Sequence, residues 1–175
     1  RRKKSDVLKE LKEKVRYTEI IDADANYYQD ELNKIWSKLE NEQKIAETEF
    51  LKHASYQRAI QSERQAAGVA KLPSVIEFVK NIMEIEESVV VFCHHKAIHR
   101  LLHESLQEFH PSSIIGGQTD KERQTSIDRF QNGDTKLMIA GLRAGNLGIN
   151  LTRAKYVIFG ELDWSPAIHR QAEDR

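Results

Sequence analysis

Apolar positions in the first half of the chain recur at helical spacing. Leu32, Ile35, Trp36 and Leu39 fall at i, i+3, i+4 and i+7, with charged residues between them. No proline or glycine interrupts residues 27–67 before Gly68. The stretch therefore predicts two amphipathic helices joined between Ala46 and Ser55, or one longer bent helix. Before it, the β-branched and aromatic texture of residues 15–22 predicts a short strand. Pro73 suits a first helical turn, so a third helix is expected to follow it, burying Ile76, Val79, Ile82 and Met83.

After Glu87 the period changes. Short β-branched runs at residues 88–93, 113–115, 136–140 and 156–159 predict strands. They alternate with amphipathic segments near 98–109 and 121–131 and with a last helix after Ser165-Pro166. Continuously apolar runs such as Val89-Val90-Val91-Phe92 suit strands covered on both faces. Strands separated by helices predict parallel βαβ units, hence an open α/β sheet. Thr119-Asp120-Lys121-Glu122 reads as a capping box. Ser165-Pro166 sets a cap and a first-turn proline. No C-cap signal stands near Arg175, so the function is expected to belong to a longer protein.

Composition narrows the class without naming an activity. Hydrophobic residues make up 39% of the 175 and charged residues 31%, which fits a soluble globular domain. No apolar run is long enough to span a bilayer, and the leading Arg1-Arg2-Lys3-Lys4 is not followed by an apolar stretch, so no membrane partner and an intracellular setting are expected. One cysteine, Cys93, fits a reducing compartment and excludes an internal disulfide. Net charge is zero, yet residues 1–16 carry eight Lys or Arg against three acids. A local basic stripe is thus hidden in a balanced total.

In an open α/β sheet the functional groups stand in loops beyond the C-terminal ends of the strands. Three loops fit that position: Cys93-His94-His95-Lys96; Gly116-Gly117-Gln118-Thr119, with Arg123 one turn further; and residues 141–152, GLRAGNLGINLT. The glycines and asparagines of the third allow close backbone approach to a ligand. Neither G-x-x-x-x-G-K-[ST] nor G-x-G-x-x-G occurs, so the chain carries no recognisable phosphate cradle. His95, His99 and His103 share a spacing of four, but no HExxH or Cys-rich pattern supports a metal, and no metal site is assigned. Solvent-facing or nucleic-acid-contacting histidines are expected instead. A Ser/His/Asp hydrolase is disfavoured by the missing G-x-S-x-G. Trp36 reads as a core residue, Trp164 as packing near the last helix.

In order along the chain, RRKKSDVLKELKEKVR, VVVFCHHKAIHRLL, IGGQTDKERQTSIDRFQNG and GLRAGNLGINLTRAKYVIFGELDWSPAIHRQAEDR resemble the C-terminal helicase lobe of the Swi/Snf family of DNA translocases. The last run, matching the fifth and sixth helicase motifs, is the most specific. Lys12 and Gly116 stand where the family commonly has proline and aspartate. FGELDWSP, QAEDR, AAGVAKLPSVIEFV and Asn146 are similar to the annealing-helicase (HARP-like) branch.

The resemblance implies a helical extension over residues 1–86 and a RecA-like lobe over residues 87–175, with a parallel sheet flanked by helices. It implies ATP and Mg2+ held mainly by a separate N-terminal RecA-like lobe, with this lobe reaching across to the γ-phosphate. Arg175 matches the first arginine of the sixth motif, an arginine finger. Gly145 and Gly148 match positions whose backbone lines the ATP cleft, and Gln171 the glutamine beside it. His94, His95, Lys96, Thr119, Arg123, Asn150 and Thr152 are the expected contacts to duplex or branched DNA. Such contacts are read through phosphates, as suits a sequence-blind motor. On its own the chain is expected to hydrolyse nothing. The rival reading is a non-catalytic DNA- or protein-binding module on a degenerate lobe, with Thr119 only a helix cap and Arg123 and Arg175 surface residues.

Overall fold

A computed structural model describes residues 15–144 and 151–173. Helix α1 (Ala25–Ile45) and helix α2 (Glu49–Ala70) are joined by three residues, within the window read from the sequence. Each begins on a side-chain cap: Asp24 accepts from Tyr27 N, and Thr48 from Leu51 N. Side-chain pairs Tyr28 to Glu63 and Arg58 to Glu42 run the two helices antiparallel. Asp24 N donates to Ala70 O at 2.9 Å, closing the open end of the hairpin. Trp36 is 38% exposed, against the core position expected of it. It instead meets Tyr56 of α2 with ring centroids 6.5 Å apart, and among the described residues no second layer covers the hairpin there.

Residues 15–22 form no strand. They run irregularly, and Tyr17, Thr18, Glu19 and Ile21 line a groove beside the outermost strand without ladder bonds to it. Local β propensity alone does not make a strand when the segment makes no ladder bonds to its neighbour.

Helix α3 (Leu72–Ile85) starts with Pro73 in its first turn. Then follow β1 (Val89–Cys93), α4 (Lys96–Ser105), a 3₁₀ turn (Gln107–Phe109), β2 (Ser112–Ile114), α5 (Asp120–Asn132), β3 (Leu137–Gly141), β4 (Tyr156–Phe159) and α6 (Pro166–Glu173). All pairings are parallel, in the order β2-β3-β1-β4. The register sets Val89 beside both Leu137 and Tyr156.

Both faces of the sheet are covered, as the unbroken apolar strands predicted. Val89, Val91, Cys93, Leu137 and Ile139 pack on α3 and α4 through Val75, Val79, Met83, Ile98 and Leu102. Val90, Phe92, Met138 and Ala140 face Phe130 of α5 and Ala172 of α6. Helix α3 thus shares its core with the sheet, and Val69 of α2 packs against the same cluster. No described helix is long and apolar enough to cross a membrane.

Candidate functional site

Two of the three predicted loops meet at the C-terminal ends of the strands. The β1–α4 turn carries His94 and His95, with Lys96 exposed in the first turn of α4. The β2–α5 loop turns at Gly117, whose φ of +104° suits glycine. Gln118 fixes this loop, its Oε1 accepting from Ile115 N at 2.9 Å and its Nε2 donating to Ser113 O at 3.0 Å. A Cβ built on Gly117 would stand 3.9 Å from Lys96 Nζ, so the ammonium lies against the glycine pair. The capping box is formed. Thr119 Oγ1 accepts from Glu122 N at 3.3 Å, and Glu122 Oε2 accepts from Thr119 N at 2.8 Å. The Thr119 N–H and then its hydroxyl, each donating to Glu122 Oε2 at 2.8 Å, hold the Glu122 carboxyl below its usual pKa. Arg123 is half-buried one turn on, its N–H bonded to Thr119 O at 3.0 Å.

Thr152 lies elsewhere. Its hydroxyl accepts from Gln131 Nε2 at 3.2 Å, at the far end of α5. Twelve helical residues separate that point from Thr119, about 18 Å at 1.5 Å per residue. Beside it Arg153 donates to Phe130 O and Thr135 O, each at 2.9 Å, closing the C-terminal end of α5. Gln171 sits on the exposed side of α6. Gly145, Gly148, Asn150 and Arg175 lie outside the described residues.

A buried carboxylate that sequence reasoning missed organises the β1–α4 turn. Glu161, just past β4, is 5% exposed. Its Oε2 accepts from His94 N at 2.8 Å and His95 N at 2.9 Å, and its Oε1 lies 2.6 Å from His95 Nδ1. Two residues on, Asp163 accepts from Ser165 N at 3.1 Å and from Arg143 Nε at 3.4 Å, with His94 Nδ1 at 3.1 Å. Burial works against the Asp163 charge, yet the Ser165 N–H, Arg143 and His94 together hold its carboxyl below the ordinary range. Burial, followed by His95 and Arg64, pushes the His94 pKa down. From α2, Arg64 donates to Leu162 O and lies over the Trp164 ring at 4.7 Å. Trp164 is thereby held from the hairpin side while remaining 69% exposed. The sequence signal was present: two acids in FGELDWSP directly after an apolar strand, where a solvated loop carries no reason to bury them.

His99 corrects the expectation of a solvent-facing histidine. It is 4% exposed, and its Nε2 lies 3.1 Å from both Ile139 O and Ser113 Oγ. A carbonyl only accepts, so Nε2 carries the proton. Cys93 is a core residue; burial, with Glu161 adding, pushes its thiol pKa up and leaves it unreactive.

Residues 70–175 match the helicase conserved C-terminal domain family. The chain is 30% identical over its whole length to the SWI/SNF-related matrix-associated actin-dependent regulator of chromatin subfamily A-like protein 1 of Drosophila melanogaster, spanning 23% of it. It is 31% identical over 61% of its length to the DNA annealing helicase and endonuclease ZRANB3 of Mus musculus, spanning 10% of that protein. The chain thus covers under a quarter of either relative. In fold it is similar to the SWI2/SNF2 ATPase core domain of Sulfolobus solfataricus, at a TM-score of 0.74 over 89% of this chain and 36% of that one, with 17% identity. With a doubly covered parallel sheet, loops gathered at its C-terminal ends and these relatives, the chain belongs to the helicase conserved C-terminal domain family, of the Swi/Snf type.

Proposed function

We propose that this chain is the second motor lobe of an ATP-dependent translocase acting on duplex or branched DNA, in remodelling or strand annealing. The observation that carries the reading is the convergence of Lys96, the Gly116 and Gly117 pair and the capped start of α5 at one edge of the sheet, in a chain with no phosphate cradle. A cation, freely approached glycine backbone and a helix N-terminus suit a phosphate backbone. His94, His95, Thr119 and Arg123 flank that edge. Asn150 and Thr152 join the DNA path by resemblance, Thr152 from the far end of α5.

On this reading ATP and Mg2+ sit between this lobe and an N-terminal RecA-like lobe that supplies the cradle. Gly145, Gly148 and Gln171 line this side of the cleft. Arg175 reaches the γ-phosphate and stabilises transition-state charge, a role typically worth about 10³–10⁵ in rate. Closure on ATP and opening after hydrolysis move the protein along its track.

The test is DNA-stimulated ATPase activity of the full-length protein, wild type against Arg175→Ala. The expected result is a stimulated wild type and a variant that binds DNA but turns over about 10³-fold slower or worse. A wild type inactive on every DNA, or a variant that matches it, overturns the proposal.

A further inference from the structure

We propose that Glu161 is the positioning residue that sets the DNA-facing turn of His94, His95 and Lys96, and that the helical hairpin holds Glu161 in place through Gly68 and Arg64. The proposal rests on the reading of that turn as a DNA contact. The sheet ladder joins β1 to β4 only as far as Phe92 and Phe159, with one further bond from Gly160 N to Phe92 O at 2.9 Å. Beyond it no ladder pair joins the two strands, and the Glu161 carboxylate connects their ends through its bonds to both turn N–H groups and the His95 ring. A carboxylate receiving N–H groups at a helix start gains charge-assisted bonds and a favourable helix dipole. The direction of Lys96, first residue of α4, is inherited from that turn.

The hairpin reaches the same group from outside. A Cβ built on Gly68 of α2 would meet Glu161 Oε1 at 2.8 Å and Cδ at 3.3 Å. Glycine there makes room for the carboxylate. Four residues earlier Arg64 grips Leu162 O and the Trp164 ring, steadying the loop that presents Glu161. The hairpin is therefore a brace for the turn rather than an appendage.

The experiment measures, in the full-length protein, the DNA concentration giving half-maximal ATPase stimulation and the maximal turnover. Glu161→Gln keeps the shape. Its amide oxygen accepts both N–H groups, and its NH2 donates to His95 Nδ1 once the ring proton moves to Nε2. It loses the charge assistance and leaves His95 Nε2–H buried without a partner among the described residues, so this variant is expected between wild type and the alanine variant. Glu161→Ala is expected to raise the half-saturating concentration about tenfold, the equivalent of one to two lost hydrogen bonds, with maximal turnover little changed. Gly68→Ala removes no polar group, but its Cβ would crowd Glu161 Oε1 and Ile98 Cδ1, so a several-fold higher half-saturating concentration in a variant that still folds cooperatively supports the brace. Should Glu161→Ala leave the half-saturating concentration unchanged and lower only the maximal turnover, Glu161 acts elsewhere and the proposal falls. Should Gly68→Ala and Glu161→Ala both saturate like a DNA-stimulated wild type, the proposal falls while the translocase reading stands. A wild type that DNA does not stimulate removes both.

Discussion

Burying a histidine makes its proton a stability variable. Burial pushes the His99 pKa down, with the Ile139 carbonyl partly opposing and His103 adding to the fall. The unfolded chain takes up that proton near the ordinary imidazole value of about 6.5, whereas the folded chain takes it up only at lower pH. In that window the unfolded state holds more protons, so stability present at neutral pH is lost as pH falls through the folded pKa. A full proton difference tilts the balance by about 1.4 kcal/mol per pH unit. His94, also depressed, acts in the same direction, and the depressed Asp163 carboxyl continues it below about pH 4. Denaturant midpoints are expected to drop between pH 7.5 and 5, and His99→Gln is expected to flatten that slope. A variant with the wild-type slope would remove His99 from the account.

Helices α1, α2 and α5 begin where side chains satisfy their first N–H groups. At α5 the reciprocal bonds of Thr119 and Glu122 do so. Thr119→Ala is expected to cost about 1 kcal/mol, and Thr119→Ser to restore the loss to within a few tenths. Urea unfolding of the three proteins decides it, and an alanine variant as stable as wild type would show the cap to be idle. The cap signals were local, so they were legible: Thr119, Pro73 and the strand runs lie within a residue or so of the observed bounds. Residues 15–22 were misread for the complementary reason. A strand is made by a neighbour's backbone, and the groove beside β4 gives this segment side-chain walls but no ladder.

At the scale of the whole molecule, the lobe gathers phosphate-suited groups on one edge yet carries no P-loop. The isolated chain is expected to show no ATP hydrolysis above background and no ATP binding by titration calorimetry. Turnover by the isolated chain would contradict a site shared between two lobes. The sequence by itself determined the fold class, the element order and the motif loops, because period, capping and glycine spacing are local properties of a chain. Only the tertiary structure decided that Glu161 and Asp163 serve the β1–α4 turn, that His99 is core, that Trp36 is exposed, and that Thr152 stands about 18 Å along α5 from Thr119. Those outcomes depend on which strands become neighbours in the order β2-β3-β1-β4. Pairing β4 with β1 brings residues 67 positions apart within 2.8 Å, and no local pattern in a single sequence encodes that contact.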